Sequence, residues 1–142
     1  MSYDIRLLDP VTREPIMLES KHAMTGGTFA IGGTQEAWLN VTYNYASWYY
    51  RDGVFPEEAE AKGSKGIRTI YGLSGAESIP LLKQAIHALE SLDENISEED
   101  RMQYKKQGVD GYWMPTRENA IKPLYQLLAL AQMRPDGVWD GD

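Results

Sequence analysis

The chain of 142 residues carries a formal net charge of −7, with 42% hydrophobic and 25% charged residues, the balance of one ordinary globular domain spanning 1–142. That acid excess excludes a surface built to neutralise the phosphates of duplex nucleic acid, and the absence of cysteine excludes disulfides, thiolate nucleophiles and sulfur-ligated zinc. No leader-like segment and no apolar run of membrane-spanning length is visible, so a cytoplasmic location without membrane contact is expected.

Tyr3 to Leu8 alternates apolar and polar residues as a strand does. Turn residues fill Asp9-Pro10 through Pro15, and Ile16 to Leu18 can return as the second arm of a hairpin. A doubled glycine phrase follows, TGGTFA then IGGTQE, with Thr28 to Ile31 as a short strand between the pairs. Paired glycines permit positive φ and close backbone approach, so tight turns are the simpler reading. A phosphate nest made by Gly26, Gly27 and Thr28 is the functional one.

The next stretch, EAWLNVTYNYASWYY from Glu36 to Tyr50, gathers six aromatic residues. Taken with a period of two, Ala37, Leu39, Val41, Tyr43 and Tyr45 face a core. Trp38, Asn40, Thr42 and Asn44 face the other way. Asparagine is depleted from strands, so these side chains either tie down turns or meet a ligand's donors and acceptors. Asn44 can cap a short helix over Ala46 to Arg51. Val54 to Gly66, with Pro56 and the acidic run EEAE, has the composition of an exposed loop.

GIRTIYG, 66–72, leads into a helix whose apolar residues Ile79, Leu82, Ala85, Ile86, Leu89 and Leu92 keep three-four spacing, with Ser78 and Pro80 at its start. Ser97 caps a short helix running to about Gln107, and Gly108 to Pro115 is a connector carrying Tyr112 and Trp113. Thr116 caps a last helix, in which Pro123 forces a bend or marks the start, and Pro135-Asp136-Gly137 ends it. Strands first and helices after give an α+β fold, with N-terminal antiparallel strands followed by three to four helices packed on the sheet.

No catalytic residue and no cofactor can be named. His22 and His87 are the only histidines, and neither has a base or acid partner fixed by spacing. Asp93, Asn95, Ser97 and Glu99 imitate the start of a calcium loop, but the sixth position is Glu98 and the twelfth Tyr104, so no metal site is assigned. The polar strand face Trp38, Asn40, Thr42 and Asn44, with Tyr43 for stacking, is the candidate ligand surface. Arg68 and Arg134 are the cations to set beside it, because an arginine fork suits phosphate or carboxylate.

Asn40-Val-Thr-Tyr-Asn44, GIRTIYG with SGAESIPLL, and the ending RPDGVWDGD resemble a set of small bacteriophage and prophage proteins of unassigned activity. The resemblance implies a phage-associated role in the cytoplasm of an infected bacterium. Within it, the leading expectation is a small-ligand-binding protein, a homodimer in its simplest oligomeric form, that sequesters a nucleotide-derived immune signal of the cyclic-nucleotide or ADP-ribose type. The alternatives are an acidic inhibitor of a host defence enzyme and a small hydrolase using His22 or metal-bound aspartate.

Overall fold

The structure, a computed structural model, describes residues 1–24, 32–57, 65–93 and 96–142. Its centre is β1, Ser2–Leu8, whose alternation buries Tyr3, Ile5 and Leu7. β1 lies between β4, Trp38–Thr42, and β5, Val138–Gly141, both antiparallel to it. The register sets Tyr3 against Val41, Ile5 against Leu39 and Leu7 against Trp139, so six buried side chains form one continuous apolar face. Strands at both ends of the sequence therefore share one sheet, and the sequence expectation contained no C-terminal strand.

The two outer edges of this sheet are met differently. The Thr42 amide at the end of β4 donates to the Tyr112 hydroxyl at 2.8 Å. Along β5, Trp139 exchanges backbone hydrogen bonds with residues 72 and 73, and Gly75 donates to Gly137. The pairing along β5 satisfies donors and acceptors that would otherwise invite strand addition.

The expected N-terminal hairpin forms only its turn. Asp9 donates to Glu14 and Ile16 to Leu7, with Ile16 buried in the core. The chain then leaves β1, and β2, Met17–His22, pairs instead with β3, Thr34–Glu36. The reason lies in Glu19, Ser20 and Lys21, all exposed, which could not follow Ile16 along a buried face. The expected strand Thr28 to Ile31 lies outside the described residues.

The aromatic stretch is a strand only as far as Thr42. There the Thr42 hydroxyl accepts the Asn44 amide and starts a 3-10 turn, Tyr43–Tyr45, that runs into the single-turn α1, Ala46–Tyr49. Thr42 thus holds the capping role expected of Asn44. Tyr45, Trp48 and Tyr49 are buried at helical spacing, which turns the stretch's second half into the core without a strand's alternation. The expected exposed loop is also corrected at its ends. Val54 and Phe55 are buried, and a 3-10 segment, Gly66–Ile70, inserts Ile67 and Ile70 into the core. Gly66 sits at φ +57 with the Tyr50 ring where a Cβ would lie.

The helical layer consists mainly of α2, Gly75–Glu90, and α4, Arg117–Met133. α2 starts a turn earlier than Ser78, because Ser74 and Glu77 form a reciprocal capping box. Pro80 and Pro123 both lie inside continuous helices, so Pro123 neither starts nor ends α4. Leu82, Ala85 and Leu89 of α2 join Ala120, Leu124, Leu127 and Leu130 of α4 over the inner face of the sheet. Trp139 ties the layers together by donating its indole N–H to Ser78 Oγ at 2.7 Å. α3, Glu98–Lys106, is capped by Ser97 as expected and buries no residue. The architecture is α+β, with antiparallel strands and helices on one face. Among the described residues, no helix is long and apolar enough to cross a membrane.

Candidate functional site

The sequence-predicted ligand face lies mostly on the outer side of the three-stranded sheet, and its polar atoms meet the protein itself. Asn40, 4% exposed, donates its amide to Ser2 Oγ at 2.7 Å and Asp4 Oδ1 at 3.0 Å. Trp38 donates to the same Asp4 oxygen at 3.3 Å. Thr42 is buried and caps the turn, while Asn44 is exposed and donates to the Trp113 carbonyl at 2.8 Å.

Arg68 does reach Tyr43. Its guanidinium lies 4.8 Å from the Tyr3 ring centre and 5.5 Å from that of Tyr43, and donates to Tyr43 Oη and the main-chain oxygen of Asp142. Arg68 therefore clamps β5 to the aromatic cluster. Arg134 is not part of this group. It makes a bidentate pair with Asp136 and lines a groove beside β2, and Arg134 holds the Asp136 carboxyl below its ordinary range. Gly26, Gly27 and Thr28 lie outside the described residues.

What the aromatic stretch does instead is hold the connector before α4. Five consecutive carbonyls there accept side-chain donors. Gly111 and Met114 receive the Asn119 amide, Tyr112 the Tyr45 hydroxyl, Trp113 the Asn44 amide and Pro115 the Trp48 indole. An irregular segment needs such partners wherever water is excluded from its backbone. Of the side chains that suggested ligand chemistry, Asn44 belongs to this connector, while Trp38 and Asn40 bond Asp4 and Ser2 and Tyr43 bonds Arg68.

The buried phenols are equally structural. Burial raises the pKa of Tyr45 and Tyr49, and for Tyr3 burial is reinforced by a hydrogen bond with Tyr50. Burial also raises Tyr71, with the Arg68 charge opposing it. All four stay protonated near neutral pH, so none is a phenolate base or nucleophile.

An open hollow of about 330 Å³ lies directly after this stretch, walled by Tyr49, Tyr50, Phe55, Arg51, Asp52 and Lys65 among others. Its volume falls in the small-ligand range. Tyr50 is half exposed. Arg51 is exposed and its guanidinium carbon lies over the Trp48 ring, 3.9 Å from the centroid. Among the described residues no carboxylate pairs with Arg51. A guanidinium over an aromatic ring keeps its N–H donors in the plane of the fork, the geometry that suits an oxyanion. Asp52 and Glu57 at the rim can accept hydrogen bonds from hydroxyl groups.

Tyr50, Arg51 and Lys65 were not among the sequence-predicted residues. The Trp48–Arg51 spacing of three carried the signal, but only if residues 46–51 are helical. Among the described residues no cluster of His, Asp or Glu could hold a metal ion. Compared with known proteins, the chain matches no family model, no curated protein and no solved structure.

Proposed function

We propose that this chain is a small-ligand-binding protein that holds a phosphorylated, nucleotide-like molecule in the hollow beside α1. The observation that carries this reading is the Arg51 guanidinium, 3.9 Å from the Trp48 centroid and without a carboxylate partner among the described residues, lining a hollow walled by tyrosines. In a chain of net charge −7, an anion is met only where cations are locally arranged. Arg51 and Lys65 supply that arrangement, the exposed Tyr50 ring offers a stacking surface for a base, and Asp52 or Glu57 accepts from ribose hydroxyls. In the phage setting that the sequence resemblance implies, the ligand class is a nucleotide-derived immune signal, bound without turnover and so withheld from its receptor.

The test is calorimetric titration with a panel of 5′-mononucleotides, cyclic dinucleotides and ADP-ribose. One member of the panel is expected to bind with one-to-one stoichiometry, and Arg51→Ala is expected to weaken it by about tenfold to a hundredfold, the loss of a charged hydrogen-bond donor. Binding unaffected by Arg51→Ala, or no binding across the panel, would reject the site.

A second reading has one observation in its favour. The first turn of α3 presents Glu98, Glu99 and Asp100 on a helix with no buried residue, an acidic surface suited to covering a basic site on a host enzyme. Charge reversal at these three positions would abolish that inhibition and leave nucleotide binding intact.

A further inference from the structure

The two sheets of this molecule differ at their edges, and the difference points to a partner. In the three-stranded sheet the outer side of β5 is paired with residues 72–75, and at the end of β4 the Thr42 amide bonds the Tyr112 hydroxyl. β2 has a strand neighbour on one side only, β3, among the described residues. Even that pairing is partial. Met17 sits opposite Glu36 and His22 opposite Thr34, so five residue steps of β2 are matched by two of β3. Among the described residues, the backbone groups between Met17 and His22 therefore form no regular ladder, and Met17, Glu19, Ser20 and Lys21 are exposed.

The sequence of this edge is complementary to itself. In an antiparallel pairing of two copies of MLESKH with the two-fold axis at Ser20, Glu19 of one copy stands opposite Lys21 of the other, and the reverse pair forms by symmetry. Leu18 meets His22 on the opposite face. A parallel pairing in the same register would instead set Glu19 on Glu19 and Lys21 on Lys21, which is repulsive. Shifting the antiparallel register by one residue in either direction removes both ion pairs.

Apolar surface lies alongside. Met17 and Met133, 56% and 49% exposed, border a groove of about 600 Å³ between β2 and the end of α4, where Leu18 and Arg134 also lie. Covering these methionines would add area to the backbone and ion-pair contacts.

We propose that two copies of the chain associate through β2, forming an antiparallel, two-fold dimer registered on Ser20. This is independent of the ligand reading, since β2 does not line the hollow that contains Arg51.

The test is sedimentation equilibrium of the full chain over a wide concentration range, with charge variants on β2. Wild type is expected to dimerise reversibly. Glu19→Lys replaces both cross-copy ion pairs by like charges and is expected to weaken the dimer by about tenfold or more. Lys21→Glu is expected to do the same. The double variant Glu19→Lys/Lys21→Glu restores both pairs with their signs exchanged and is expected to recover dimerisation. Folding of each variant is checked by its urea midpoint, which surface changes of this kind leave nearly unmoved. A monomer at every concentration would overturn the proposal. A dimer indifferent to Glu19→Lys, or one lost in the single variant and not regained in the double, would overturn it too.

Discussion

The three-stranded sheet and the β2–β3 ribbon are built from strands of similar length, yet they stand at opposite ends of the range of order in this protein. In β1 every second residue is buried, its register with β4 and β5 is regular, and the outer side of β5 is paired with residues 72–75. In β2 no residue is buried, the pairing slips, and among the described residues no strand lies on its outer side. What separates them is the layer beneath: α2 and α4 offer the first sheet an apolar surface to pack on, and the polar β2 has none to offer in return. Strand stability here comes from packing, with backbone pairing following it.

The largest test of this contrast is Trp139→Ala. Trp139 is fully buried, belongs to the C-terminal strand of the sheet, and bonds Ser78 on α2. Its truncation should cost about 3–5 kcal/mol, read from urea melts. Lys21→Ala on the ribbon should move the same midpoint by less than about 0.5 kcal/mol. If the chain does not fold without Trp139, Trp139→Phe keeps most of the ring and isolates the loss of the Ser78 bond. Equal effects at the two positions would mean that the ribbon is as integral to the core as the sheet.

Alkaline pH divides the same two regions. β2 and β3 contain no tyrosine, while Tyr3, Tyr45 and Tyr49 are buried in the body of the molecule with pKa values raised chiefly by burial. A phenol in the unfolded chain ionises near 10, below its value in the fold. The stability these groups contribute is therefore complete below about pH 10 and falls as pH rises from there toward the folded-state values, by about 1.4 kcal/mol per pH unit for each phenol that ionises only on unfolding. Urea midpoints should be flat from pH 7 to 9 and decline steeply above 10. A flat profile to pH 11 would show that these phenols are already solvated in the native state.

A smaller effect sharpens the comparison at the sheet's edge. Tyr45→Phe leaves the Tyr112 carbonyl without its side-chain donor and should cost about 1–3 kcal/mol. The connector that closes β4 through Tyr112 should also become faster to exchange its amide hydrogens, while β2 is unchanged. Identical exchange in wild type and variant would mean that Asn44, Trp48 and Asn119 hold the connector without it.

The sequence by itself determined much of this. Apolar spacing located α2 and α4, Ser97 and Thr116 marked the true starts of α3 and α4, and the alternation of Tyr3 to Leu8 defined the inner face of β1. These features are local: a cap bonds three residues along and a face repeats within one element, so the neighbouring residues contain the cause. The tertiary structure alone decided that VWDGD is a strand, because its partner β1 lies more than a hundred residues away. It likewise decided the role of Asn40, Asn44, Tyr45 and Trp48, whose hydrogen bonds end on Asp4 and on a connector some 70 residues distant. An amide or indole has the same donors whether it meets a ligand or the chain's own carbonyl, so residue type could not separate the two. Arg51 shows the converse. Its spacing of three from Trp48 was compatible with stacking, but only the fold set the pair beside an open hollow.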